Sequence, residues 1–208
     1  MKQHEVIDVW EKNLPKLEKE FVNFPWEDER SYGNYLAQTY RYIIHSCKLL
    51  RYAAQKTEHS DLKKCLLHHD AEEDGHENLA LNDLKKMGFS LEDFPELKET
   101  KVIYDTIYDQ IDQYGPAAII GYAMALEGLS ARRCPEISQR LVEKWGRKKA
   151  SLICLHGEVD PGHMEESFET LNFFTEDELD VVGKVILESI DRYISYLKSV
   201  QQYALAAA

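Results

Sequence analysis

The segment from Leu66 to Met87 constrains the fold most, because its helical pattern places titratable side chains where a core would need apolar ones. Its inner stripe recurs at alternating steps of three and four, the spacing of one face of an α-helix: Leu66, His69, Glu73, His76, Ala80, Leu84 and Met87. An unpaired carboxylate taken out of water costs several kcal/mol. The segment therefore predicts a helix whose inner face binds a cation or is compensated by hydrogen bonds.

Composition limits the classes of protein and partner. The chain has 208 residues, of which 44% are hydrophobic, and this predicts one domain over residues 1–208. The net charge of -12 disfavours nucleic acids and anionic membrane surfaces. No run approaches the ~20 apolar residues that span a bilayer, and the opening residues lack the apolar stretch of a signal peptide. The four cysteines lack Cys-x-x-Cys spacing, so we expect reduced thiols in a cytoplasmic protein.

Hydrophobic periodicity predicts helices along the chain and no strand of consequence, which makes an all-α bundle of about seven to eight helices. The predicted spans are residues 3–22, 29–56, 61–87, 99–114, 117–126 and 136–145, a helix from 150 and a last helix from 175 to 203. Cys134-Pro135 is predicted to separate two of them. Thr175 and Glu178 form a capping box at the start of the last helix. The terminal Ala-Leu-Ala-Ala-Ala is either a helix end or a cloning remnant.

Two later helices add titratable groups to those of the first segment. Glu127 is the single charge at the end of a long apolar run. His156, Asp160 and His163 are spaced four and three apart, so they share one face of a helix. Pro161 supports a second interpretation, in which Asp160 caps a new helix. The two interpretations are not exclusive, because a kinked or broken helix could still bring the three side chains together.

Nitrogen and carboxylate donors without thiolates favour iron or manganese over structural zinc. Six ligands exceed what a catalytic zinc site uses and suit two metal ions: Glu73, His76, Glu127, His156, Asp160 and His163. Glu72 lies at the edge of the stripe and ranks below its neighbour. His69, on the inner line, is a more distant group, a hydrogen-bond partner or a substitute ligand. Three residues are interpreted either as core or as the wall of a pocket: Tyr42, His45 and Tyr193.

These motifs resemble the haem-oxygenase-like diiron oxidases, also described as iron-containing redox enzymes. The resemblance extends over most of the chain and rests on four motifs: Tyr42-Ile-Ile-His45-Ser46, His69-Asp-Ala-Glu72-Glu73-Asp-Gly-His76, Gly121-Tyr-Ala-Met-Ala-Leu-Glu127-Gly and His156-Gly-Glu-Val-Asp160-Pro-Gly-His163. It implies a haem-oxygenase-like fold without haem, and two ferrous ions held by the six residues above, with manganese as the alternative metal. Some relatives have a carboxylate seven residues before the first histidine, where this chain has His69.

The resemblance also implies a function. It is the activation of dioxygen to oxidise a small organic substrate that carries a carboxylate or an amine, with an external electron donor and a homodimeric assembly. A haem oxygenase of the same fold would need a glycine-rich helix facing an axial histidine, which Gly121 and Gly128 suggest only weakly. A thiamin-degrading hydrolase would need a pocket cysteine, for which Cys134 is the candidate. A non-catalytic protein with a structural ion is the fourth interpretation.

Overall fold

The computed structural model describes residues 1–206, and these form nine α-helices, three short 3-10 turns and no strand. The helices are α1 (Gln3–Asn23), α2 (Glu29–Ile43), α3 (Ser46–Gln55), α4 (Ser60–Glu73), α5 (His76–Lys86), α6 (Lys98–Tyr114), α7 (Pro116–Trp145), α8 (Ser151–Thr170) and α9 (Glu176–Ala206). The all-α class predicted from the sequence is confirmed. The last two residues of the terminal Ala-Leu-Ala-Ala-Ala lie outside the described range.

Helix α7 is the centre of the bundle because its first half is apolar on nearly every side. It packs against α8, α9, α1 and α6. A Cβ atom added at Gly121 would lie 2.7 Å from the carbonyl oxygen of Val182 on α9, and one at Gly128 would lie 2.7 Å from the ring of Trp10 on α1. Both glycines therefore allow neighbouring helices to approach closely.

Two segments that the sequence predicts as single helices are each broken in two. The first break separates α2 from α3 at Ile44 and His45, and the second separates α4 from α5 at Asp74 and Gly75. Gly75 has a φ of 92°, a backbone conformation that glycine adopts without the steric cost of a Cβ atom. The second break redirects the chain between Glu73 and His76, so the inner stripe of that segment is divided between two helices.

Pro135, a predicted helix break, and Pro161, a helix start in one of two interpretations, both lie inside helices. The predicted break at Cys134-Pro135 is wrong, because α7 continues through it. Proline removes one helical hydrogen bond, but α8 packs directly on this point: a Cβ atom at Gly157 would lie 3.1 Å from the nitrogen of Pro135. Helix α8 likewise continues through Pro161, so the interpretation of Asp160 as an N-cap is also wrong. Packing of α7 against α8 offsets the local preference at Pro135.

The start of α9 agrees with the predicted capping box. The backbone nitrogen and the hydroxyl of Thr175 both donate to the Glu178 carboxylate at 2.8 Å. This cap fixes the beginning of a long helix that carries Tyr193 and Tyr196 into the centre of the bundle, where both are buried.

Candidate metal centre

Four helices bring the predicted ligands together in the interior. Helix α4 supplies Glu73 at its last residue, α5 supplies His76 at its first, and α7 supplies Glu127. Helix α8 supplies the triplet His156, Asp160 and His163. The last two of these are buried because α8 packs against α7 along this face. The sequence places these residues on separate helices, and the packing of those helices makes them one cluster.

The first group of candidate ligands consists of Glu73, His76 and His156. Each offers one ligand atom, and these atoms all lie within 4.8 Å of one another. His76 Nδ1 is 3.3 Å from Glu73 Oε1, and the His76 and His156 rings are 5.3 Å apart, centroid to centroid. We call this group triad A. It contains two imidazoles and one carboxylate, a set typical of non-haem ferrous sites.

The second group consists of His69, Glu127 and His163, whose ligand atoms also lie within 4.8 Å of one another. His69 Nε2 is 3.0 Å from Glu127 Oε1, and the His69 and His163 rings are 4.7 Å apart. We call this group triad B. It has the same composition as triad A, two imidazoles and one carboxylate. It includes His69, for which the sequence allowed several roles.

Asp160 belongs to neither triad but lies beside both. Its side chain is 1% exposed, and burial raises the pKa of this carboxyl above its ordinary value. Its Oδ1 is 3.3 Å from His163 Nδ1, and its charge is felt at His76 of triad A. A carboxylate in this position can bridge or neutralise two cations.

Several buried polar atoms of the cluster have no hydrogen-bond partner among the described residues: His76 Nδ1, Glu127 Oε2, His163 Nδ1 and both oxygens of Asp160. Buried polar groups in folded proteins are nearly always paired, and each exception calls for an explanation such as an ion. All of these are nitrogen or oxygen atoms that bind iron or manganese. The residues present therefore fit a pair of divalent cations.

The electrostatics of the cluster follow from carboxylates and imidazoles held close together. Burial alone would lower the pKa of His69, but the carboxylates of Glu127 and Glu73 outweigh it and raise the pKa to about 9. Burial alone would raise the pKa of Glu73, but the His76 imidazole 3.3 Å away and the other neighbouring imidazoles lower it to about 2. These groups form buried ion pairs, so a metal ion that bound here would have to displace the proton of His69.

A buried aspartate fixes the helix that carries the triplet. Asp83 on α5 accepts hydrogen bonds from the Ser151 hydroxyl at 2.6 Å and from the Leu152 backbone nitrogen at 2.9 Å, which caps the first turn of α8. His156 Nδ1 donates to the Leu152 carbonyl at 2.9 Å, leaving Nε2 for a ligand. Sequence reasoning missed Asp83. The sequence pattern that could have indicated it is the position of this carboxylate, seven residues after His76 and close to the inner stripe.

A cavity opens beside the two triads. Its polar lining includes His69, Glu73, Glu127, His156 and Asp160. Apart from the thiol of Cys134, its other walls are aliphatic or hydroxyl-bearing, among them Tyr35, Tyr42, Tyr193, Thr39, Ile43, Leu50, Ile119, Leu126 and Ile153. None of the residues that line it is Lys or Arg. The wall therefore offers a substrate apolar contact and hydroxyl groups, but no fixed ammonium or guanidinium.

The remaining candidates divide between the cavity and the surface. Tyr42 and Tyr193 line the cavity. The Glu72 side chain is 39% exposed, against 10% for Glu73, and it reaches only 3.7 Å from His163 Nε2, so its lower rank agrees with its position at the rim. His45, which the sequence left as either a core or a pocket-wall residue, does not line the cavity. The turn between α2 and α3 directs it to α6, where it stacks on a tyrosine ring at 3.9 Å.

Comparison with known proteins identifies the family to which the chain belongs. The sequence pattern described as "Iron-containing redox enzyme" matches residues 33–192, which include every residue of both triads. The chain belongs to the iron-containing redox enzyme family. A search of curated proteins found no match for this family member.

Solved structures confirm the haem-oxygenase-like fold of this family member. A domain of unknown function with a heme oxygenase-like fold from Shewanella denitrificans OS217 is 22% identical with a TM-score of 0.81, covering 99% of this chain and 93% of that one. A TenA homolog from Pseudomonas syringae pv. tomato str. DC3000 is 14% identical with a TM-score of 0.77, covering 96% and 92%. In the described part of the chain, none of the helices has the length and hydropathy needed to cross a bilayer.

Proposed function

We propose that this protein is a non-haem dinuclear iron oxidase or oxygenase, which activates dioxygen to oxidise a small organic carboxylate. The observation that carries the proposal is the pair of triads, each with two imidazoles and one carboxylate, beside one cavity. Two imidazoles and a carboxylate leave coordination positions open and are typical of ferrous oxygenases. The family description, iron-containing redox enzyme, agrees with this metal.

In this proposal triad A would hold one ferrous ion, triad B would hold the other, and Asp160 would be the carboxylate beside both triads. When bound, the ions supply the electrons that reduce dioxygen. The carboxylates of Glu73, Glu127 and Asp160 neutralise the cations, and the four neutral imidazoles leave a net charge of about +1 for the inventory of ligands. Manganese is the alternative metal because its donor preferences overlap with those of iron. Haem plays no part.

The cavity supports a carboxylate in preference to an amine as the polar group of the substrate. The cavity wall carries no Lys or Arg that could pair with an anionic group. The surplus positive charge of the metal centre would therefore attract the substrate carboxylate to the metal ions. A cationic ammonium would be repelled by the same charge. The aliphatic side chains of Ile43, Leu50 and Ile119 would contact the rest of the substrate and exclude water. Dioxygen and an external electron donor complete the reactants.

The proposal is tested by anaerobic loading with ferrous ion, followed by rapid mixing with oxygen and measurement of visible absorbance. We expect two irons per chain, one for each triad, and a transient absorbance change. His156→Ala should reduce both, because it removes a ligand of triad A. His4→Ala is the matched control, because His4 is exposed on α1. Wild-type protein that takes up no iron would refute the proposal.

A thiamin-degrading hydrolase is the second candidate, because a TenA homolog shares the fold and Cys134 lies in the cavity wall. Its chemistry requires a thiolate. Burial raises the pKa of the Cys134 thiol well above its ordinary value, so this sulfur stays protonated in the metal-free protein. Thiamin hydrolysis by the metal-free chain, lost in Cys134→Ser, would favour the hydrolase. A Soret band on haem titration would favour a haem protein.

A further inference from the structure

A continuous line of tyrosine and tryptophan rings joins the cavity to the surface. Five of its members are buried and the sixth is partly exposed at the end of α7. From the cavity outward, the line consists of Tyr42, Tyr193, Tyr35, Trp26, Tyr32 and Trp145. We call it the aromatic line. Its members come from α2, α9, the turn before α2 and the end of α7.

The inner half consists of three phenols joined through their hydroxyl groups. Tyr42 and Tyr193 oxygens are 3.1 Å apart, and Tyr193 and Tyr35 oxygens are 3.3 Å apart. All three side chains line the same cavity as Glu73 and Glu127. Burial raises the pKa of each phenol, so all three keep their protons.

The outer half continues through ring contacts. The centroids of Tyr35 and Trp26 are 4.7 Å apart, those of Trp26 and Tyr32 are 6.3 Å apart, and those of Tyr32 and Trp145 are 5.2 Å apart with nearly parallel planes. Trp26 and Tyr32 are completely buried, whereas Trp145 is partly exposed. Each of these rings therefore packs against the next within the range of aromatic pairs.

Tyrosine and tryptophan are the side chains that most readily lose a single electron without losing a covalent bond. Packing alone could use Phe or Leu at the inner positions, which would avoid burying three hydroxyl groups. We propose that the aromatic line carries single electrons from a donor at Trp145 to an oxidant in the cavity. This proposal rests on the proposed function only for the identity of the oxidant in the cavity that consumes the electrons.

The steps balance in electrons and protons. A one-electron oxidant in the cavity takes an electron from Tyr42, whose phenolic proton moves to a carboxylate of the cavity. Tyr193 then reduces Tyr42 and passes its own phenolic proton to the Tyr42 oxygen, and Tyr35 does the same for Tyr193. When Trp26 reduces Tyr35, the proton held by the carboxylate returns through the three hydroxyl groups to Tyr35.

Tyr32 reduces Trp26 and shifts its proton toward the Lys149 carbonyl that it hydrogen-bonds, and it recovers the proton when Trp145 reduces it. A soluble one-electron reductant of the ascorbate class finally reduces Trp145. No bond between heavy atoms forms or breaks, and one donor electron is consumed for each oxidising equivalent.

The test uses metal-free protein, so its result does not depend on iron chemistry. A ruthenium photosensitiser is attached at Lys148→Cys, an exposed position three residues from Trp145. Cys47→Ser and Cys65→Ser remove the partly exposed thiols, while the other two cysteines are buried. A light flash in the presence of a sacrificial quencher then produces oxidised ruthenium, which removes one electron from Trp145. Peptide mass mapping locates the oxidised residues, and electron paramagnetic resonance identifies tyrosyl radicals.

We expect oxidation to reach the inner tyrosines in the parent protein. Trp26→Phe should abolish oxidation of Tyr35, Tyr42 and Tyr193 while oxidation at Trp145 remains. Trp10→Phe is the matched control, because Trp10 is a buried indole outside the line. Its nitrogen donates to the Met124 carbonyl, as that of Trp26 donates to the Phe21 carbonyl.

Two comparisons complete the test. Trp145→Phe changes a partly exposed position and should abolish oxidation of the inner tyrosines even if Trp26→Phe perturbs folding, which circular dichroism checks. Oxidation of the inner tyrosines that persists in both variants would overturn the proposal, and so would its absence in the parent protein. Iron uptake without this oxidation would overturn the aromatic line and leave the proposed function intact.

Discussion

The first prediction concerns Asp160, because its carboxylate should destabilise the metal-free protein. The side chain is completely buried and neither oxygen has a hydrogen-bond partner among the described residues. Its pKa is raised even though His156 and His163 act to lower it, so the surroundings as a whole penalise the charge. A buried unsatisfied polar group costs about 1–3 kcal/mol, and more when it is charged. Asp160→Asn removes the charge and keeps the shape.

We therefore expect metal-free Asp160→Asn to unfold in urea with a free energy of unfolding about 1–3 kcal/mol above that of the wild type. In a chain of this size each kcal/mol shifts the melting temperature by ~2–4 °C. Linkage predicts the pH dependence. A carboxyl with a raised folded-state pKa destabilises the fold as pH rises through that range, so the advantage of the variant should shrink in acid.

Metal should reverse the order of the two proteins. An ion that binds only the folded state at a hundred times its Kd adds about 2.7 kcal/mol. The wild type should gain this stability on anaerobic addition of ferrous ion, while the variant gains less because it has lost an anionic donor. Thermal melts with and without metal measure both effects. A wild type that is at least as stable as the variant without metal would refute the reasoning.

Asp83 provides a control, because its replacement by asparagine should change the free energy of unfolding in the opposite direction. It is also completely buried, and burial raises the pKa of its carboxyl as well. It differs in accepting two hydrogen bonds from the first turn of α8. Asp83→Asn replaces one accepting oxygen by an amino group, so it should lower the free energy of unfolding by about 1–3 kcal/mol.

Three further predictions follow from the packing and the charges. Gly121→Ala should lower the free energy of unfolding by about 1–3 kcal/mol, because the added Cβ atom meets the backbone of α9. Gly162→Ala should raise it by up to ~1 kcal/mol, because the added Cβ atom enters open space beside α8. Urea titrations measure both free energies. Glu73→Gln should cost one bound ion in a metal titration and Glu72→Gln should leave two. Metal binding near pH 7 should release a proton from His69 and weaken as pH falls, because the pKa of its imidazole is about 9; calorimetry in buffers of different ionisation enthalpy detects this release.

Helical periodicity was enough to predict the residues on the inner faces, because burial in a bundle follows the 3.6-residue repeat. The spacing of His156, Asp160 and His163 predicts their common face even though Pro161 lies among them. The continuity of the helix through that proline was not predictable locally. Likewise the continuity of α7 through Pro135 depends on the approach of α8, a contact between segments that no local rule describes.

The grouping of these residues into triads depends on contacts that the sequence does not reveal. From the sequence, His69 and Glu73 compete for one ligand position, since both lie on the inner line of a single predicted helix. The break at Gly75 removes that competition: α4 ends at Glu73, which meets His76 in triad A, while His69 meets Glu127 in triad B. One turn of helix separates them along α4.

This separation has a consequence for how the proposed centre works. A neutral His69 adds a ligand without adding charge, so each ion would have the same two imidazoles and one carboxylate, and Asp160 would remain as the shared anion. The near-equivalence of the triads predicts two ions of similar affinity, in contrast to a centre with one carboxylate-rich and one histidine-rich site. Two binding steps in a ferrous titration that differ greatly in affinity, with the weaker unaffected by His69→Ala, would contradict this assignment and return His69 to the role of a hydrogen-bond partner of Glu127.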